Sequence, residues 1–150
     1  MKKDVNPLYI SIKMFKKLFR SKNENTLSNA EVEKLMTTTD GKKLGESEEM
    51  LLYGGFQDLN NYYFLETLFL SVESIKSKRG ATITFKSEQG EFVLKASMLE
   101  FDSEYVKQLE RHVTQISFDI EKDQIKKIQS GAYQSIELKV KNKVFTLLNG

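Results

Sequence analysis

The chain has no cysteine, no tryptophan, one proline and one histidine, and each shortage removes a class of chemistry. Without cysteine there is no disulfide, no thiolate nucleophile and no Cys-ligated zinc or iron–sulfur site. His112 is the single histidine, so one subunit cannot build a multi-histidine metal centre, and a Ser-His-Asp triad has only that residue to turn on. No run approaches the ~20 apolar residues that a membrane-spanning helix needs. The densest apolar stretch, 62–72, is broken by Glu66 and Thr67. Lys2 and Lys3 resemble the opening of a signal peptide, but Asn6, Pro7, Lys13, Lys16 and Lys17 interrupt the apolar segment such a peptide requires, and no small-residue cleavage site comes after them. The expected location is cytoplasmic, in keeping with a reducing compartment.

Otherwise the chain is one domain's worth of ordinary globular material. A chain of 150 residues buries roughly two thirds of its unfolded surface on folding. The ten Phe and six Tyr supply the largest apolar areas available to a core. Net charge is +2, but its distribution is uneven. Residues 1–23 hold seven basic residues and one acid, a balance of +6, whereas 24–150 hold 16 basic and 20 acidic residues, a balance of −4. A basic tail is joined to a mildly acidic body.

The tail contains the one feature that stands above background. Leu8, Ile12, Phe15 and Phe19 recur with helical spacing, and Lys13, Lys16, Lys17 and Arg20 gather on another face. Pro7 suits a helix start, where its missing N–H has no intrahelical partner. The expected unit is a basic amphipathic arm over 1–25, and Ile12, Phe15, Phe19, Lys16, Lys17 and Arg20 are its candidate partner-binding residues. Such a helix docks into a groove on a protein partner or lies on an anionic membrane surface through residues 8–20; the bland alternative is that it packs on its own domain.

Over 26–49 the spacing predicts a short helix and then a linker. Ser28 followed by Glu31 is a capping box that opens a helix over 29–36, and 37–49 (TTTDGKKLGESEE) is charged, turn-rich and poor in large apolar residues. The body is therefore expected to run from 50 to 150. Residues 50–61 are ambiguous around Gly54–Gly55. Residues 62–78 fit a helix through Leu65, Leu68, Phe69, Val72 and Ile75, and a strand through Leu68, Leu70 and Val72; the strands after them favour the strand.

From Gly80 alternation is clear. Phe85 is expected to face Phe92 and Ile83 to face Leu94 across a hairpin, with a bulge near Met98. Val106, Leu109 and Val113 predict a helix over 103–113, and Ile116, Phe118 and Ile120 a strand. Residues 121–129 predict a helix that turns Ile125 and Ile128 inward and stops at Ser130–Gly131. A two-residue turn at Asn142–Lys143 sets Val140 opposite Phe145 and Leu138 opposite Leu147. The expected class is α+β: a predominantly antiparallel, hairpin-rich sheet of five to seven strands, short helices and the N-terminal helical arm.

Few residues point to chemistry. Glu100, Asp102 and Glu104 alternate as carboxylates do in an oxygen-ligated cation site, but no glycine-containing metal loop accompanies them; charges that keep a strand edge from aggregating explain them as well. His112 has no nucleophile motif nearby, and Asp40-Gly41-Lys42-Lys43 lacks the phosphate-loop pattern. Phe85 and Phe92 fall on the core face, and an acidic body repels a phosphate backbone, so no sequence-specific nucleic-acid binding is expected. The reading is a non-catalytic protein-interaction or adaptor module without cofactors, its basic helix docking a protein partner or membrane surface. One alternative is a carboxylate- or metal-dependent hydrolase using Glu100, Asp102 and His112. Another is a subunit that uses the edge of the terminal hairpin 136–148 for strand addition.

Overall fold

The computed structural model describes residues 27–36 and 41–149. Two helices, α1 (Asn29–Leu35) and α2 (Lys122–Gln129), accompany eleven strands among the described residues. These are β1 (Lys42–Ser47), β2 (Met50–Leu59), β3 (Tyr62–Ser71), β4 (Lys76–Ser77), β5 (Thr82–Ser87), β6 (Gly90–Lys95), β7 (Phe101–Asp102), β8 (Glu104–Val106), β9 (Arg111–Ile120), β10 (Ser135–Val140) and β11 (Lys143–Leu148). Among the described residues strand makes up 57% and helix 13%: the predominantly antiparallel sheet expected from the sequence is present, but with more than the five to seven strands expected, so the class is mostly β rather than α+β.

Nine strands form one sheet in the order β6-β5-β10-β11-β1-β2-β3-β9-β8, and β4 pairs with β7 separately. The large sheet curls until its ends meet. Ala96, just past β6, bridges Phe118 of β9, and the Ser97 N–H donates to the Ser117 carbonyl at 2.8 Å. Eight strands thus close a barrel, and β8 hangs from the far end of β9. All eight send side chains into one apolar cluster, from Leu44 and Leu52 through Phe69, Phe85, Leu94 and Phe118 to Leu138 and Leu147. A barrel of about eight strands is just wide enough for side chains to fill. Gly54 shows how tight the fit is: a Cβ there would lie 2.6 Å from Leu44 Cδ1. Ile128 of α2 and Tyr133 join the same cluster, and the Tyr133 hydroxyl donates to the Leu44 carbonyl at 2.8 Å.

A second apolar cluster lies on the outside of β2, β3 and β9. Leu51, Tyr53 and Leu70 point away from the barrel axis and are covered by Leu27, Val32, Leu35 and Met36 of the α1 segment, with Leu109 beside them. Ser28 and Glu31 make the reciprocal capping box that opens α1. Arg111 fastens the segment: its guanidinium, 2% exposed, donates to the Leu27 carbonyl at 2.7 Å and to Asn29 Oδ1 at 3.2 Å. Burial pushes the Arg111 pKa down from its ordinary value, against the upward pull of the Glu110 carboxylate. Glu110 in turn accepts the Leu27 N–H at 2.7 Å.

Several local expectations change. Residues 42–47, placed by composition in the linker, form β1, with Leu44 in the core. Residues 103–113, expected as a helix, are β8, a turn with Glu110 at φ 56°, and the start of β9. Their helical spacing has another origin: Val106, Leu109 and Val113 all face the α1 cluster from a tight hairpin. The terminal turn falls at Lys141–Asn142, where Lys141 has φ 57°, so Leu138 faces Phe145 and Ile136 faces Leu147. That shift of two residues leaves the apolar face unchanged, since strand side chains alternate with period two. The strand over 62–71, the Phe85–Phe92 and Ile83–Leu94 pairs and the helix ending at Gln129 form as expected.

Candidate functional site

Opposite the α1-covered face no described helix covers the barrel, and one end of that face opens into a groove of about 1540 Å³. Its first wall is the small β4–β7 sheet, where Lys76 pairs with Asp102 and Ser77 with Phe101. The loop from β4 to β5 forms the rim. Buried Ser77 pins it: its hydroxyl accepts the Arg79 N–H at 3.0 Å and donates to the Gly80 carbonyl at 2.9 Å. Gly80, at φ 80°, takes the left-handed turn that lets its N–H reach the Leu99 carbonyl at 2.7 Å. The chain is thereby folded back so that Lys78 and Arg79 stand exposed at the mouth.

The floor and far wall come from the sheet. Thr82 of β5 pairs with Lys95 of β6 on one side and with Lys139 of β10 on the other. The three residues form a row, Lys95–Thr82–Lys139, on the outer surface of the barrel. Lys141 and Asn142 of the terminal turn complete the lining, and the small residues Gly80, Ala81 and Ala96 lie between the walls.

Six cations and two carboxylates, Glu100 and Asp102, line the groove. Elsewhere several lysines are matched: Lys43 meets Glu33 and Glu46, each at 3.0 Å, Lys86 meets Glu137 at 3.0 Å, and Lys143 meets Glu73. Burial pulls the Lys43 pKa down, but its bonds to Glu46 and Glu33 outweigh this and hold it above the ordinary value. None of the six groove cations forms an ion pair with a described carboxylate. Lys86 and Lys139 lie on neighbouring strands of one face; the first is neutralised and the second is not.

The residues singled out by sequence fall in different places. Ile12, Phe15, Lys16, Lys17, Phe19 and Arg20 lie outside the described residues. Glu100 and Asp102 reach the groove, whereas His112 sits on β9 with its ring centroid 5.0 Å from that of Tyr105 and its Nδ1 3.5 Å from Ser103 Oγ. Among the described residues no three His, Asp or Glu side chains are placed to hold a metal ion together. The terminal hairpin has less free edge than its sequence suggests: β10 is flanked by β5 and β11, and β11 reaches β1 through Glu46–Leu148. No described helix is long and apolar enough to cross a membrane.

Sequence reasoning missed the groove because its cations come from three distant segments of a chain whose body is net acidic. The available signals were two short basic runs, Lys76-Ser77-Lys78-Arg79 and Lys139-Val140-Lys141-Asn142-Lys143. The class defined by these features is an antiparallel β-barrel with a packed interior and a cationic outer groove. Comparison with known proteins finds no matching family model, curated protein or solved structure.

Proposed function

We propose that the chain is a non-catalytic interaction module in which the barrel presents its cationic groove to an acidic protein partner. The observation that carries this reading is the gathering, around one open groove, of six cations that pair with no described carboxylate. The packed barrel interior supports it too, since any partner must then be met outside. Unpaired cations are kept solvated when free and are neutralised by a partner's carboxylates, which gives both steering and register to the encounter. The basic arm, with Ile12, Phe15 and Phe19 as apolar anchors and Lys16, Lys17 and Arg20 as charges, is a second attachment to the same acidic partner or to an anionic membrane surface.

Poly-L-glutamate titrated into the full chain, followed by fluorescence anisotropy, tests the reading. Binding is expected at low salt and to weaken as ionic strength rises. The triple change Lys78→Glu, Arg79→Glu, Lys139→Glu is expected to weaken it at least tenfold, and Lys16→Glu, Lys17→Glu, Arg20→Glu to weaken it further. Binding that survives the groove changes at full strength overturns the assignment of the groove.

A further inference from the structure

We infer that the Lys95–Thr82–Lys139 row is a phosphate subsite that seats a phosphorylated side chain of the acidic partner. The inference rests on the groove reading above and adds the chemical class that the groove selects. Neighbouring strands lie about 4.8 Å apart, so the row sets two ammonium-bearing residues on either side of one hydroxyl, all facing outward. In an antiparallel sheet, opposite charges on facing or diagonal outward residues stabilise one another. Further along β5 and β10 such a pair forms: Lys86 reaches Glu137 diagonally. On the Thr82 row two cations flank a neutral donor, and Lys78, Arg79 and Lys141 around the same groove add charge of the same sign.

A phosphate monoester matches this arrangement in both charge and acceptor number. It carries about −1.5 to −2 charge at neutral pH and three strong acceptor oxygens, whereas a carboxylate brings one charge and two oxygens. Three donors in a row engage the phosphate's oxygens simultaneously, and Arg79 at the mouth adds a planar donor suited to phosphate. The small residues between the walls keep the approach open.

Other sources of anionic groups fit less well. Non-specific single-strand binding uses aromatic platforms for the bases, and the groove offers one ring, that of half-buried Phe101. Glu100 and Asp102 stand on the β7 side, where a continuous phosphate backbone would meet them but a single phosphorylated side chain on a mixed-charge segment need not. The first 23 residues of the chain itself carry a balance of +6 and are repelled by the groove.

Three fluorescein-labelled probes test this on the full chain: a Glu-Ser repeat peptide with its serines phosphorylated, a Glu-rich peptide matched to it in total charge, and an oligothymidylate. The phosphorylated peptide is expected to bind at least tenfold more tightly than the charge-matched one. Thr82→Val, which keeps the size and the charge count, is expected to weaken binding of the phosphorylated peptide until most of that preference is gone; the thermal midpoint of the variant confirms folding. Equal affinity for the two peptides, or a preference that survives Thr82→Val, overturns the phosphate subsite and leaves the groove reading standing. Failure of both peptides to bind overturns both. Oligothymidylate binding more tightly than the phosphopeptide overturns the assignment to a phosphorylated protein.

Discussion

The two outer faces of the barrel are built by the same backbone and differ in what covers them. Over β2, β3 and β9 the outward residues are Leu51, Tyr53, Leu70 and Val113, and α1 lies across them. Over β5, β6 and β10 they are Thr82, Thr84, Lys86, Val93, Lys95, Glu137 and Lys139. Under α1, β2 and β3 are buried on both sides and read as continuous apolar runs, Met50 to Tyr53 and Leu68 to Leu70, whereas β5, β6 and β10, like the outer part of β9, are buried on one side and alternate. Coverage is thus written in the pattern of the strands before the helix that supplies it is considered. A face that stays bare keeps the freedom to carry charge, and there the groove is found.

The contrast can be broken by single substitutions. Leu51→Ala removes a fully buried side chain between barrel and helix and is expected to cost about 2–5 kcal/mol in denaturant unfolding. Arg111→Ala strips the Leu27 carbonyl and Asn29 of their donor; a loss of about 2–4 kcal/mol is expected, with faster amide exchange confined first to 27–36. If exchange in that segment is unchanged, Arg111 does not hold α1.

Smaller effects sharpen the contrast. Burial raises the pKa of Tyr133 inside the barrel, and burial together with Glu33 raises that of Tyr53 under α1, with Lys43 opposing. A raised tyrosine pKa means that the folded state favours the neutral phenol. The stabilisation is full below the ordinary value near 10 and is lost as pH rises through the folded value. Unfolding midpoints are therefore expected to fall above about pH 10, and to fall less in Tyr53→Phe. Tyr133→Phe gives up the bond to Leu44 and costs about 1 kcal/mol at neutral pH. Ser28→Ala opens the cap of α1 at a cost of about 1 kcal/mol. Val93→Ala, on the bare face and 51% exposed, is expected to stay within about 0.5 kcal/mol; a loss as large as that of Leu51→Ala would mean that the face is covered after all.

The strands with one wet face were the most legible. In β5, β6 and β10 each inward residue is flanked by outward ones that are mostly polar, and the Phe85–Phe92 and Ile83–Leu94 pairs follow from alternation alone. The two-sided strands were harder, because an apolar run such as 50–53 or 68–70 has no period to separate strand from helix. Lys42–Ser47 was illegible for the opposite reason: Leu44 is its one large apolar residue, and its place in the sheet depends on partners at 50–54 and at Leu148. The helix expected over 103–113 failed because a tight hairpin facing α1 generated helical spacing without a helix. The candidate site was the least legible part, since Lys95 and Lys139 come to flank Thr82 only when β5 is laid between β6 and β10, and Lys76 reaches the groove from a separate small sheet.

The Glu46–Leu148 pair joins the first strand of the barrel to the last, across nearly the whole described chain. During synthesis the β1–β2–β3 meander can assemble while the rest is still being made, but the ring has no closing stave until β11 is available. Contacts this distant in sequence make assembly slow, and until then the β1 edge and the core beside it stand open to other chains. The nascent protein therefore passes through a stage in which its stickiest surface is exposed, and shielding during that interval, rather than the stability of the finished ring, is expected to govern how much of it reaches the native state.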